Sequence, residues 1–205
     1  MSKENLNSLE DFQRFVSSTI KPWPPEKRTA LAAATADRWL PVYESFSEEN
    51  EWGDPQTFED AIVAVWNCVM GHELSPKDIQ DHDKRVKKNT PHADDFDCDG
   101  AITTSAMIYY ALRCCENANN TGDTVMAVVS GFLGIASGIS GMYVDPEEFD
   151  PDLWRSPQVQ DELDKQLKLL NLIGDMAQLD RQSIEALREK LSSPEFAGSV
   201  PPDGA

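Results

Sequence analysis

A chain of 205 residues with 40% hydrophobic and 26% charged residues has the composition of one globular domain, which excludes a disordered or fibrous protein. Its 36 acidic and 18 basic residues leave a formal net charge of −18, which repels nucleic acids and anionic membranes. We therefore expect neither a nucleic-acid nor a membrane partner. The same charge attracts basic proteins, although an excess of carboxylates also serves solubility alone.

Helical patterns occupy the first half of the chain. Ser8 caps a predicted first helix, whose apolar residues recur at the spacing of one helix face: Leu9, Phe12, Val16 and Ile20. A second helix is expected from about residue 26 to residue 40, where Pro41 kinks or breaks it. Asp54 and Ser75 are each followed by proline, a combination that predicts the start of a helix.

The second half of the chain continues in the same way. Helices are predicted from about 97 to 117, from Asp123 or Thr124, from Ser156 and after Asp180. No sustained alternation typical of strands occurs. We therefore predict an all-α fold, a compact single-domain bundle of about seven or eight helices over residues 1–192. The Pro- and Gly-rich segment 193–205 is expected to be a flexible tail.

One stretch, residues 125–144, contains no charged residue and is long enough to span a bilayer. Its serines and its acidic flanks argue against a membrane span. Four glycines at helical spacing, Gly131, Gly134, Gly138 and Gly141, instead favour a central bundle helix that its neighbours approach closely. A subunit interface is the functional alternative, in which the Gly131–Gly141 face forms a homo-oligomer.

The segment from Asp95 reads D-x-D-x-D-G, the first half of a calcium loop of the EF-hand type. Asp95, Asp97 and Asp99 are the candidate metal ligands, but Ala106 occupies the twelfth position, where a bidentate glutamate belongs. The alternative is an acidic helix N-terminus, which the missing glutamate favours. The sequence thus predicts no cofactor beyond, at most, weakly bound calcium.

Motifs for catalysis are missing from the sequence. The three histidines, at positions 72, 82 and 92, lack zinc-ligand spacing, and there is no GxSxG elbow or phosphate-binding loop. Four cysteines without CxxC spacing are expected to be reduced and buried, because the polar N-terminus shows no export signal and predicts a cytoplasmic protein. Trp23 and Trp154 lie among prolines and acids, where an exposed tryptophan would anchor a partner. Packing of their loops onto the bundle is the alternative.

Three segments carry a family resemblance, and two of them are motifs. The first motif reads R-x-x-P-x-Y-x-x-F and contains Arg38, Pro41, Tyr43 and Phe46. The second motif reads P-x-A-D-D-F-D from Pro91 and contains Asp94, Asp95, Phe96 and Asp97. Between the two motifs, Gly53 and Asp54 precede a predicted helix that contains Ile62 and Trp66. In order and spacing the chain resembles the YjaG-like family of uncharacterised bacterial proteins over roughly residues 9 to 190. The resemblance implies a compact all-α fold and a cytoplasmic bacterial protein, and it implies no activity.

The leading hypothesis is a non-enzymatic protein that binds a basic partner through its acidic surface. Its most concrete form is an inhibitor or immunity protein for a basic toxin that acts on nucleic acid, because complementary charge accelerates such association. The first alternative is a calcium- or metal-binding regulatory protein that uses the Asp95–Asp99 loop. The second is an enzyme whose site is assembled around His92 and the neighbouring aspartates.

Overall fold

The computed structural model describes residues 6–96, 98–117, 119–142 and 144–198. Within these ranges it contains α-helices and no strand, which confirms the predicted all-α fold. A single turn of 3₁₀-helix covers Pro146–Glu148. The α-helices are α1 (Leu9–Ile20), α2 (Pro25–Asp37), α3 (Leu40–Asn50), α4 (Pro55–Val69), α5 (Pro76–Lys88), α6 (Asp99–Glu116), α7 (Thr121–Ser140), α8 (Pro151–Trp154), α9 (Pro157–Asp175) and α10 (Arg181–Leu191).

Most of these helices begin directly after a residue whose side chain caps the helix, as the sequence predicts. Ser8 accepts a hydrogen bond from the Asp11 backbone N–H at 3.1 Å, and Asp54 accepts one from the Gln56 N–H at 3.2 Å. At α5 the cap is reciprocal, because Ser75 and Asp78 each accept from the other's backbone N–H. Local chemistry therefore sets these boundaries before any tertiary contact is made.

The region around Pro41 departs from the prediction. The second predicted helix already ends at Asp37, and a separate helix, α3, begins at Leu40. Pro41 is the second residue of α3, where its missing N–H would have had no helical partner. This additional helix and the four-residue α8 bring the number of α-helices in the described ranges to ten, above the predicted seven or eight.

The alanine-rich helix α2 lies at the centre of the bundle. Its residues 28–36 are all buried, which is the pattern of a helix enclosed on every side. Helices α4, α6, α7 and α9 pack around α2, and α6 and α7 form the most extensive helix pair. The core is one continuous apolar cluster that includes side chains from every α-helix.

Helix α7 confirms the prediction of a central bundle helix approached closely by its neighbours. A Cβ at Gly134 would overlap Thr103 of α6, and a Cβ at Gly131 would lie 2.6 Å from a Glu162 carboxylate oxygen of α9. By length and composition alone α7 could cross a membrane, but 67% of its apolar window is buried inside the protein. The predicted subunit face is therefore wrong for Gly131 and Gly134, because this chain's own helices cover them.

The segment 193–198, which we call the C-terminal strap, is packed against the bundle. Phe196 is 7% exposed, and its carbonyl accepts a hydrogen bond from the Arg38 guanidinium at 3.0 Å. The Gly198 N–H donates to the Arg38 carbonyl at 2.8 Å. The prediction of a flexible tail from residue 193 is wrong for these six residues, and residues 199–205 lie outside the described ranges.

Candidate functional site

Aromatic side chains from the two motif segments meet on one side of the bundle. Tyr43 and Phe46 lie on α3, and Phe96 lies in the segment between α5 and α6. The Phe46 and Phe96 rings pack edge to face with centroids 5.5 Å apart, and Tyr43 stacks on Phe58 of α4 at 3.6 Å. Trp52 completes the cluster, with its ring 5.5 Å from Phe96 and 6.0 Å from Phe46. The fold therefore joins two segments that are distant in sequence.

The Tyr43 hydroxyl organises the turn that carries Trp52. It donates a 2.6 Å hydrogen bond to the Asn89 carbonyl at the end of α5. Burial raises the pKa of Tyr43 to about 12, so the hydroxyl keeps its proton at neutral pH. Gly53 faces this hydroxyl with a φ of 83°, and a Cβ at Gly53 would overlap it. The close approach holds the turn after α3 against the end of α5.

Exposed carboxylates flank the two outer rings of the aromatic cluster along the chain. Trp52 and Phe96 are half-buried, whereas Tyr43 is inaccessible. Six exposed acidic residues lie within four positions of one of these two rings: Glu48, Glu49, Glu51, Asp54, Asp94 and Asp95. We call these six residues, together with Trp52 and Phe96, the acidic corner. No Lys or Arg occurs in residues 39–76 or 89–112, so neither segment contains a cation to balance this charge.

In the described part of the acidic motif after α5, the backbone is helical from Asp99 onward, which differs from the loop of an EF-hand. Asp99 and Gly100 are the first two residues of α6, and the helix continues through Ala106. Position six of an EF-hand loop makes a sharp turn, which a helical Gly100 does not provide. Asp95 is exposed in the preceding turn, and Asp97 lies outside the described residues. Asp99 occupies the first turn of α6, as the alternative prediction of an acidic helix N-terminus requires.

Metal binding by this segment otherwise stays a prediction. Across the part of the chain that the structure describes, no group of three or more His, Cys, Asp or Glu side chains is placed to hold a metal ion. His92, Asp94 and Asp95 are all exposed. The enzyme alternative around these three side chains likewise stays a prediction.

The two tryptophans predicted to anchor a partner are packed into the protein. Trp154 is 2% exposed, its indole N–H donates to the Leu6 carbonyl at 3.1 Å, and its ring stacks on Phe132 at 5.7 Å. Trp23 is half-buried and packs against the core beside Gly174 of α9. The prediction of an exposed anchor is therefore wrong for Trp154, and the packing alternative describes both loops.

Sequence reasoning missed Trp52, the half-buried tryptophan of the acidic corner. The signal for it lay in the charges, since Trp52 sits in a segment with eight acidic residues and no Lys or Arg between positions 39 and 76. Its ring packs on Phe46 and Phe96, and exposed carboxylates precede and follow it in the chain. In this chain, the run of acidic residues around Trp52 indicates an accessible tryptophan, whereas the prolines near Trp23 and Trp154 do not.

The remaining residues of the first motif lie outside the acidic corner. Arg38 is fully buried and pairs with the Glu162 carboxylate, which also accepts a 2.8 Å hydrogen bond from the Gln166 amide. A further Arg38 nitrogen donates to the Phe196 carbonyl. Arg38 therefore connects α9 and the C-terminal strap to the end of α2. Pro41 is exposed in the first turn of α3.

A family model described as a protein of unknown function, DUF416, matches residues 16–197 of the chain. The chain belongs to the DUF416 family. The DUF416 match includes both motif segments and extends from the second half of α1 through the strap residue Ala197, so it covers the bundle as one unit.

DUF416 relatives are found among bacterial proteins. The uncharacterized protein YjaG of Salmonella typhimurium is 25% identical over 178 residues, which are 80% of this chain and 85% of that protein. YjaG of Escherichia coli K12 is 24% identical with the same coverage. These matches confirm the resemblance to the YjaG-like family. The chain also matches the crystal structure of a DUF416 family protein from Shewanella baltica OS155, with a TM-score of 0.72 and 23% sequence identity. The match covers 89% of this chain and 97% of the Shewanella chain, so the two proteins share a fold.

Proposed function

We propose that this protein binds a basic protein through the acidic corner, most concretely as an inhibitor or immunity protein for a basic toxin that acts on nucleic acid. The observation that carries the proposal is that two half-buried aromatic rings pack together, and six exposed carboxylates lie within four positions of one of them in the chain. A surface that binds nucleic acid presents Lys and Arg to phosphates. Carboxylates on the surface of this bundle can pair with the same Lys and Arg side chains in place of the phosphates.

The aromatic rings of the acidic corner offer a partner stacking interactions in addition to the attraction between opposite charges. Trp52 and Phe96 pack on Phe46, so their positions are fixed by the core before a partner arrives. An arginine side chain that pairs with a carboxylate can also stack on an adjacent indole, which contributes roughly 0.5–2 kcal/mol. Complementary charge raises the association rate by about tenfold to a thousandfold, and salt reduces this gain.

The test compares the wild-type chain with two variants that remove the same number of charges. The corner variant carries Glu48→Gln, Glu51→Gln, Asp94→Asn and Asp95→Asn. Asp54 is left intact because it caps α4. The control variant neutralises four exposed carboxylates elsewhere, with the substitutions Glu147→Gln, Asp175→Asn, Glu185→Gln and Glu189→Gln.

All three chains are used as bait in a lysate of the source bacterium, and the captured proteins are eluted with a salt series. We expect the wild-type and control chains to retain one basic protein that elutes as salt rises. The corner variant should associate with the purified partner at least about tenfold more slowly. If that partner cleaves nucleic acid, an equimolar amount of the wild-type chain should block the cleavage. Equal binding by the corner and control variants, or no basic protein at moderate salt, would refute the proposal.

A further inference from the structure

Three of the four cysteines lie together where α4 and α6 end. Cys68 is in the last turn of α4, and Cys114 and Cys115 are in the last turn of α6, which packs against α4. All four cysteines are free thiols. Cys98 precedes the other end of α6, about 25 Å from Cys115 at the rise of 1.5 Å per residue. The cluster therefore excludes Cys98.

Within this cluster, Cys68 and Cys115 are neighbours, and each thiol is the largest influence on the pKa of the other. The Cys115 sulfur lies 3.7 Å from the Ala111 carbonyl of its own helix. Cys114 faces the other way, since its sulfur lies 3.4 Å from the Thr124 hydroxyl of α7. A disulfide requires two side chains that already approach each other, so Cys68 and Cys115 form the candidate pair.

The two thiols of the pair differ in acidity and both are accessible in part. The interaction between the two thiols lowers the pKa of Cys68, and the same interaction together with burial raises the pKa of Cys115. Cys68 is therefore the thiol that ionises first, and the thiolate is the reactive form. Both side chains are half-buried, whereas Cys114 is buried and its burial raises its pKa to about 12. The prediction that the cysteines are buried is wrong for Cys68 and Cys115, which are half-buried.

We propose that Cys68 and Cys115 are a redox-active dithiol that a hydroperoxide oxidises to an intramolecular disulfide. The Cys68 sulfur attacks the peroxide O–O bond, becomes a sulfenic acid and releases water when the oxidant is hydrogen peroxide. The Cys115 sulfur then attacks the Cys68 sulfur, the S–S bond forms, and the sulfenic hydroxyl leaves with the Cys115 proton as a second water. The two thiols lose two electrons, and these reduce one peroxide to two waters.

The test uses the full-length reduced chain and hydrogen peroxide as the oxidant. After the reaction the chain is denatured, its remaining thiols are alkylated, and its peptides are mapped by mass spectrometry without reduction. We expect a cross-link between the Cys68 and Cys115 peptides and a fall in free thiols from four to two per chain. Cys98 and Cys114 should be alkylated in full.

Three single variants separate the roles of the cysteines. With Cys115→Ser no resolving thiol remains, so a sulfenic acid should accumulate on Cys68 and react with dimedone. Cys68→Ser should abolish both the disulfide and the dimedone adduct. Cys98→Ser is the matched control and should still form the Cys68–Cys115 disulfide. Four alkylatable thiols in the peroxide-treated wild-type chain, a disulfide that contains Cys114, or a dimedone adduct on Cys115 of the wild-type chain would each overturn the proposal.

Discussion

Gly53 is the residue at which backbone conformation and side-chain packing constrain the acidic corner most directly. Its φ of 83° lies in the region that favours glycine, and an added Cβ would overlap the Tyr43 hydroxyl. Gly71 has nearly the same φ, 88°, but an added Cβ there would meet no atom within 4 Å. The two glycines therefore allow the strain of the backbone to be separated from the overlap with Tyr43.

We expect Gly71→Ala to lower the free energy of unfolding by about 1–2 kcal/mol, the cost of a left-handed conformation for a residue with a Cβ. Gly53→Ala should cost about 1–3 kcal/mol more, because the Tyr43 ring or the turn must also move. Urea unfolding of both variants measures the difference. Equal losses for the two substitutions would show that the contact between the turn and Tyr43 is loose.

The ion-pair partner of the motif residue Arg38 cannot be identified from the sequence. The place of Arg38 in the R-x-x-P-x-Y-x-x-F pattern marked it as important, but nothing nearby in the chain indicated a partner. The partner, Glu162, lies 124 positions away. Removal of either charge would leave the other buried and uncompensated, which costs about 3–5 kcal/mol in comparable pairs. Arg38 therefore holds α9 and the C-terminal strap to the end of α2, and only the tertiary structure reveals this role.

At the scale of whole elements, local signals predicted the helices well. The starts of α1, α4, α5, α9 and α10 follow from a capping residue, because the cap acts within three positions of the chain. Helix α3 is not predicted because a proline after a helical pattern indicates the end of that helix, whereas Pro41 lies in the first turn of the next one. The C-terminal strap was missed because Pro and Gly in its composition resemble those of a loose tail.

Truncation tests the contribution of the C-terminal strap. A chain that ends at Gly198 keeps every contact described for the strap and serves as the reference. A chain that ends at Ser192 loses the buried Phe196 ring and the carbonyl that accepts from Arg38. We expect this shorter chain to lose about 3 kcal/mol or more of unfolding free energy. Identical thermal unfolding of the two chains would show that the strap contributes nothing to stability.

At the scale of the whole molecule, a net charge of −18 has two consequences that can be separated. Mutual repulsion of carboxylates destabilises the compact state, and the same field attracts cationic partners. Carboxylates that serve only solubility would be equivalent wherever they lie on the surface. Carboxylates that serve binding would matter at the acidic corner and not elsewhere.

Salt screens the repulsion, so a rise from low ionic strength to about 0.15 M should raise the unfolding temperature of the wild-type chain. The corner variant and its control should each be at least as stable as the wild type, because both remove repelling charges. Neutralising the corner should therefore impair binding without loss of stability, as is typical of functional surfaces. A corner variant that unfolds several degrees below the control would instead assign these carboxylates a structural role.

The sequence by itself determined the helical class, most helix starts, the family resemblance and the excess of negative charge, because caps, periodicity and composition act over a few neighbouring residues. Only the tertiary structure decided which aromatic rings are accessible, that the two motif segments meet, and that Arg38, Glu162 and the strap form one buried connection. The same holds for the contact between Cys68 and Cys115, on two different helices. These features depend on contacts between residues distant in the chain, and such contacts exist only once the bundle has packed.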